Sequence, residues 1–154
     1  MKAKTRLFGD IDIAEEKLIV LEKGMIGFAN LQHFALIFDE EKGIDSSNIM
    51  WLQSMDEPEI AFPVMSPAKV KEDYQPTVSD EILTSLGNLT PENTFILVTV
   101  TVPKQIEDFS VNLKAPVIIN IETNKGVQII VEDDLPVKYK VYELLKNKKE
   151  KAGE

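Results

Sequence analysis

The residues best equipped for chemistry in this sequence are carboxylates, and they come in clusters: Glu15-Glu16, Asp39-Glu40-Glu41, Asp56-Glu57-x-Glu59 and Glu132-Asp133-Asp134. Two carboxylates facing each other across a cleft can hydrolyse a glycosidic bond, but clustering in turn-rich stretches does not supply that geometry. Asp10-Ile11-Asp12 opens with the spacing of a calcium loop, yet the rest of the D-x-D-x-D-G pattern is missing. These positions read as solvated turn charges that together form an acidic face. A carboxylate-based hydrolase or calcium-binding β domain is the alternative. The single histidine, His33, lies beside an apolar run and reads as a surface or packing residue. A serine triad would need it, but no G-x-S-x-G elbow exists to supply the nucleophile. With no cysteine there is no disulfide, thiolate metal site or cysteine nucleophile. Neither G-x-x-x-x-G-K-[ST] nor G-x-G-x-x-G occurs. The expectation is no enzyme, no catalytic residues, no metal and no cofactor.

Charge points to partners instead. The 154 residues hold 17 basic and 26 acidic side chains, a net charge of −9. Six lysines against three glutamates give residues 138–154 a charge of +3, which leaves 11 basic against 23 acidic residues, or −12, in residues 1–137. An acidic body repels phosphate backbones and suits a basic protein partner, so direct nucleic-acid binding is not expected. No window approaches 18 uninterrupted apolar residues, and Met1–Ile13 lacks a signal-peptide core. The reading is a cytoplasmic protein, monomeric and without a membrane partner.

The elements that must position any site are mostly of period two. Leu7, Gly9, Ile11 and Ile13 share one parity, with Phe8 the exception. Lys17–Glu22, Phe34–Asp39, Ile49–Ser54 and Ile60–Met65 follow as strands, with Pro63 marking an edge or a bulge. The clearest strand is Thr94–Val102; Val111–Ile121 and Val127–Val131 complete the set. Thr123-Asn124-Lys125-Gly126 reads as a hairpin turn between the last two. Ser79-Asp80-Glu81 opens one short helix that Gly87 closes. Tyr139–Lys149 has helical propensity, with Val141, Leu144 and Leu145 as a narrow apolar stripe. The fold class expected is mainly β: a compact antiparallel β-barrel-like single domain with one short helix and a helical C-terminal tail. The β domain spans 1–137 and the basic helical tail 138–154.

Several polar residues sit inside strand-like segments where packing would not ask for them: Gln53 and Ser54, Asn112 and Asn120, and Gln128. A buried amide must be hydrogen-bonded, so Gln53, Ser54, Asn120 and Gln128 read as structural brackets holding loops or a barrel closure. The segments that carry them resemble the FliW family of flagellar assembly factors. The matching blocks are Gly24-Met25-Ile26-Gly27-Phe28, Trp51-Leu52-Gln53-Ser54, Ile60-Ala61-Phe62, Ser66-Pro67 with Asp73-Tyr74, and Val98-Thr99-Val100. Val111-Asn112-Leu113-Lys114-Ala115-Pro116-Val117-Ile118-Ile119-Asn120 and Gly126-Val127-Gln128 complete them, so the resemblance runs from about Phe8 to Val131. Two departures stand out. The family usually has a proline where this chain has Ile26, which predicts a looser turn before Gly27. The lysine-rich tail lies outside the pattern.

The resemblance implies a binding protein with a compact antiparallel β-barrel. Such proteins bind flagellin in the cytoplasm and, when flagellin is exported, bind and allosterically antagonise the translational repressor CsrA. Flagellin termini are amphipathic helical segments, which seek an apolar groove. Candidate lining residues are Phe62, Val64 and Met65 near Pro63, with Leu113, Ala115 and Pro116 in the N-L-K-A-P loop, whose Asn112 and Lys114 are further partner-binding candidates. Ordinary core packing is the competing reading of the same apolar positions, and at this level both stand. Asp56, Glu57 and Glu59 are the candidates for an acidic contact with the repressor.

Overall fold

The computed structural model describes residues 1–37, 49–101, 105 and 108–141. Eleven strands and one α-helix are laid out along them. The first two strands, β1 (Lys2–Thr5) and β2 (Gly9–Asp12), form a separate antiparallel hairpin. Next come β3 (Ile19–Leu21), β4 (His33–Ile37), β5 (Met50–Ser54) and β6 (Ala61–Met65). Helix α1 (Asp80–Ser85) precedes β7 (Thr94–Thr101). Then follow β8 (Ser110–Val111), β9 (Val117–Asn120), β10 (Lys125–Gln128) and β11 (Tyr139–Lys140).

Seven of these strands close on themselves in the order β7-β6-β5-β4-β3-β10-β9 and back to β7. Every pairing in the ring is antiparallel except β3 with β10. Closure removes free sheet edges, which otherwise invite mispairing. The period-two pattern explains the interior, because alternate residues of each strand point inward. Leu21, Phe34, Leu52, Val64, Leu97, Val117 and Ile119 are fully buried there. Each such side chain contributes roughly 1.5–3 kcal/mol relative to exposure.

The outer face of the barrel is covered as well, in three places. The β1–β2 hairpin lays Ala3, Ile11 and Ile13 on Ala35, Ile37, Leu18 and Met55. Helix α1 sets Ile82, with Leu86 just beyond it, against Ile96, Ile118 and Val127. Segments after β6 and before β11 cover Met65, Val98, Val100, Val111 and Leu113. Burial on both faces is why Phe34–Ile37 is apolar at every position. Among the described residues no helix is long and apolar enough to cross a membrane.

The helix starts and stops as its sequence predicts: the Ser79 hydroxyl accepts from the Ile82 N–H at 3.4 Å, and Gly87 takes a φ of +98° just past the end. Pro63 sits opposite Trp51 on β5, while the pairing of β6 with β7 begins only at Val64. The strand is a local edge there, where a missing N–H costs no ladder bond.

Other readings need correction. The first strand is a hairpin: Arg6-Leu7-Phe8 turns the chain, and the alternation Lys2-Ala3-Lys4-Thr5 forms the arm that the reading from Leu7 left out. Gly126 belongs to β10, where closeness is the reason for glycine. A Cβ there would lie 2.7 Å from Leu21 Cδ2 and 3.1 Å from the Ile118 carbonyl oxygen, while Asn124 supplies the turn's positive φ of 57°. The strand assigned to Val127–Val131 is displaced to 125–128. At the C-terminal end Tyr139–Lys140 is strand and pairs with β8; Val141 is buried and Lys140 exposed, a period of two rather than a helical stripe. The remainder of the expected helical tail lies outside the described residues, as do Asp39-Glu40-Glu41 and Val102.

Candidate functional site: the mouth of the barrel

The functional feature begins with an irregularity in one strand. On one edge of β7, residues 94–97 pair with β9 and residues 100–101 pair with β8. Between those ladders only Val98 and Thr99 face Asn112–Pro116. The partner strand therefore carries three extra residues, a large β-bulge of the kind that re-aims side chains at barrel rims. What reads in the sequence as one strand from Val111 to Ile121 is two strands joined by this bulge.

Local chemistry holds the bulge in shape. The Asn112 Oδ1 accepts from the Lys114 N–H at 3.0 Å, an Asx-type turn of the kind a short Asn or Asp side chain makes. The Asn112 N–H donates to the Thr99 carbonyl at 3.0 Å and the Leu113 N–H to the Pro136 carbonyl at 3.1 Å. From behind, the Tyr74 hydroxyl donates to the Leu113 carbonyl at 2.6 Å. Burial, with the Asp133 charge adding to it, pushes the Tyr74 phenol up to about 12. Lys114 Nζ donates to the Asp133 carbonyl, and Asp133 accepts from the Thr77 N–H and hydroxyl at 2.9 Å each. The two Thr77 bonds hold the Asp133 carboxyl below the usual carboxylate range.

Opposite the bulge lies the turn Met25–Phe28, closed by the Phe28 N–H on the Met25 carbonyl at 2.7 Å. Gly27, at its third position, has a φ of +87°, as a type II turn requires. Gly24 before it is glycine for space as well: a Cβ would lie 2.3 Å from the Phe28 carbonyl oxygen. The looser turn expected from the missing proline is closed by a different device. The Ile26 N–H, which a proline would lack, donates to Gln128 Oε1 at 2.7 Å.

Between the turn and the bulge opens a cavity of about 330 Å³, lined by Met25, Ile26, Phe62, Thr99, Asn112, Lys114, Ala115, Gln128, Ile130 and Val137. Met25 and Phe62 also belong to the barrel core, so the cavity is its solvent-open mouth. Phe28 and Phe62 meet edge to face with ring centroids 5.3 Å apart. Apolar side chains stand exposed at the rim: Ile26 is 50% exposed, Ile130 66% and Val137 59%. Adjacent exposed apolar side chains around a cleft mark a binding surface more than a catalytic one.

Comparison with known proteins places the chain in a family. The family model described as FliW protein matches residues 2–141. The chain belongs to the FliW family. The flagellar assembly factor FliW of Lachnospira eligens is 41% identical over 148 residues, covering 95% of this chain and 97% of that protein. That of Lachnoclostridium phytofermentans is 40% identical over 152 residues, covering 98% and 97%. A crystal structure of the flagellar assembly factor FliW superposes with a TM-score of 0.82 at 27% identity, covering 92% of this chain and 96% of that one.

In this FliW-family barrel the residues singled out from sequence separate cleanly. Phe62, Asn112, Lys114 and Ala115 line the mouth. Val64, Met65 and Leu113 are fully buried and face the two cores, and Pro116 is buried too, so their side chains are not exposed at the mouth in this structure. The physical reason is parity: Phe62 and Val64 point inward, and only Phe62 lies near the open end. Sequence reasoning did not place Ile26, Ile130 and Val137 in a site, because each sits beside apolar neighbours (Met25, Ile129 and Val131, Leu135) and nothing local marks it as the exposed one.

The polar residues fall into two roles. Gln53 is fully buried, and its Nε2 lies within 2.8–3.1 Å of the carbonyls of Ser54, Pro58 and Ile60. The Ser54 hydroxyl accepts from the Glu57 N–H at 2.9 Å. Both brace the acidic loop after β5, whose Glu57 and Glu59 are exposed. Asn120 and Gln128 bind loops elsewhere: Asn120 Nδ2 donates to the Leu86 carbonyl at 2.8 Å, and Gln128 spans the mouth. Among the described residues no three carboxylate or imidazole groups converge as metal ligands.

Asp56 does structural work in that loop. Its Oδ2 accepts from the N–H groups of Gln32 and His33 at 2.7 and 2.8 Å, and its Oδ1 lies 3.1 Å from His33 Nδ1. Burial alone would raise its pKa, but the His33 and Gln32 amides and the His33 ring together outweigh it and hold the carboxyl below the ordinary range. A depressed folded pKa contributes stability that is complete above the unfolded value of about 4 and is lost as pH falls through the folded one. Asp56→Asn is therefore expected to lose about 1–2 kcal/mol near neutral pH, where the charged acceptor is removed. The gap to wild type should narrow as pH falls below the unfolded value and through the lowered folded one. Melting temperature against pH for both proteins checks this, and parallel curves would contradict it.

Proposed function

We propose that this chain binds flagellin in the cytoplasm through the barrel mouth and, once flagellin is exported, binds and antagonises the translational repressor CsrA. It acts by binding, not catalysis. The observation that carries the flagellin half is the solvent-open apolar mouth in a member of a family of flagellar assembly factors. An amphipathic helical segment would seat apolar side chains against Met25, Phe62 and Ile130, with Asn112 and Lys114 bordering them. Alanine or charge-reversal changes at Asn112 and Lys114 that left both partner affinities intact would remove the bulge from this assignment.

For the repressor half the support is charge. The net charge of −9 and the exposed Glu57 and Glu59, on a loop braced by Gln53 and Asp56, suit a protein that is basic wherever it meets RNA. A bound acidic body also lowers local affinity for phosphate without occupying the RNA site. Calorimetric titration with CsrA, repeated after saturation with flagellin, tests the whole reading. Binding that flagellin abolishes supports the switch; flagellin binding with no repressor affinity reduces the protein to a chaperone for flagellin. Antagonism of RNA binding is expected to weaken as salt rises from about 0.05 to 0.5 M, since exposed charges more than a Debye length apart are screened. Inhibition insensitive to salt would remove the electrostatic part.

A further inference from the structure

The two lips of the mouth are joined by one side chain. Gln128 ends β10, opposite Val117, directly beneath the bulge. Its Oε1 accepts from the Ile26 N–H at 2.7 Å and its Nε2 donates to the Ala115 carbonyl at 3.2 Å. We propose that Gln128 is a clasp that sets the width of the mouth, a positioning residue that makes the Met25–Phe28 turn and the Asn112–Pro116 bulge move together. The inference deepens the flagellin reading and rests on it for its binding arm alone.

The chemistry singles out this side chain. The second residue of a type II turn has an N–H that the turn itself does not use, so it needs an outside acceptor. The Ala115 carbonyl needs a donor. A carboxamide answers both in one orientation only, oxygen toward Ile26 and nitrogen toward Ala115. Glutamate keeps the acceptor but turns a second oxygen toward the Ala115 carbonyl, and asparagine is one methylene short of the span. Both bonds lie at the rim of a half-solvated cavity where water competes, so the clasp can open. An apolar group seated in the mouth displaces that water and strengthens both bonds. Occupancy of the mouth and closure of the clasp thus favour each other.

The test uses the full chain, nuclear magnetic resonance and flagellin titration. In free Gln128→Ala, exchange of the Ile26 amide is expected to accelerate about tenfold and the resonances of residues 112–115 to shift, while core amides keep their protection. Gln128→Glu is expected to keep the Ile26 amide protected yet shift the resonances of residues 112–115, separating the two halves of the clasp. Flagellin affinity should fall about tenfold in both variants. Ile26→Pro removes the donor while suiting the turn, and also removes a rim side chain, so in the Ile26→Pro/Gln128→Ala double variant the two losses of affinity should be less than additive because they share the Ile26–Gln128 bond. Unchanged Ile26 exchange in Gln128→Ala would overturn the clasp, as would fully additive losses in the double variant. Failure of the mouth as flagellin site shows differently: flagellin would then shift no resonances of Ile26, Phe62 or Ile130 in wild type, whatever the exchange data say.

Discussion

Ile130→Asp is expected to weaken flagellin capture about a hundredfold while moving the melting temperature by no more than about 2 °C. Ile130 is 66% exposed at the rim of the mouth, so the folded protein gives up little when it is replaced. Surface substitutions of this kind usually change stability by about 0.5 kcal/mol or less. The complex gives up much more. Burying an isoleucine against a partner is worth roughly 1.5–3 kcal/mol, and each 1.4 kcal/mol is a factor of ten in affinity. Aspartate also brings a charge into a site whose walls include Met25, Ile26 and Phe62; among the described residues lining it the opposing charge is Lys114, whose ammonium already serves the Asp133 carbonyl. Leu7→Asp is the control. Leu7 is 41% exposed at the tip of the N-terminal hairpin and does not line the mouth, so its replacement should leave capture unchanged. Titration of both variants decides the matter: an Ile130→Asp protein that binds flagellin like wild type would take the mouth out of the flagellin proposal.

The same residues show what a sequence can and cannot disclose here. The ring of strands was legible because Phe34, Leu52, Val64 and Leu97 alternate with residues facing elsewhere, and that period is a local property. The helix was legible because Ser79 and Gly87 act on their own neighbours. The bulge was not. Asn112–Pro116 reads as continuous strand until one knows that only Val98 and Thr99 lie opposite, and pairing across the sheet is not a local property. The mouth follows from the bulge. Ile26, Ile130 and Val137 are 104 to 111 residues apart across the two lips and meet only after the barrel closes. The family blocks did point to the right loop, yet they could not sort its residues. Leu113 and Ala115 look alike in sequence, while Leu113 fills the outer core and Ala115 lines the cavity. The first arm of the N-terminal hairpin escaped for another reason: Lys2 and Lys4 face Asp12 and Asp10, so its outer face is charged and its inner face holds only Ala3 and Thr5.

Closure of the barrel also depends on a polar group that apolar patterning ignores, and here the expected loss of stability is the largest. Asn120 is 1% exposed. Its Nδ2 donates to the Leu86 carbonyl at the end of α1, and its Oδ1 accepts from the Glu122 N–H at 2.9 Å. One side chain thus joins the helix to the turn between β9 and β10 at the seam where β9 returns to β7, for Asn120 pairs with Thr94. Asn120→Asp preserves shape and the acceptor but sets a charge against the Leu86 carbonyl where a donor stood. Leaving buried groups unsatisfied costs about 1–3 kcal/mol, and more when one is charged, so a loss of about 3–4 kcal/mol is expected at pH 7. For a chain of this length that lowers the melting temperature by about 10 °C. Burial should raise the pKa of the new carboxyl, because its charged form is the disfavoured one. A raised folded pKa means that stability is present at low pH and lost as pH rises through that value. In its neutral form the acid has a hydroxyl that can donate to Leu86, so Asn120→Asp should recover part of its deficit near about pH 4. Asn120→Ala, which has no proton to regain, should not recover. Thermal melts of wild type and both variants from neutral to acid pH separate these cases. If the aspartate and alanine variants tracked each other throughout, the bond to Leu86 would not be what Asn120 contributes at the seam.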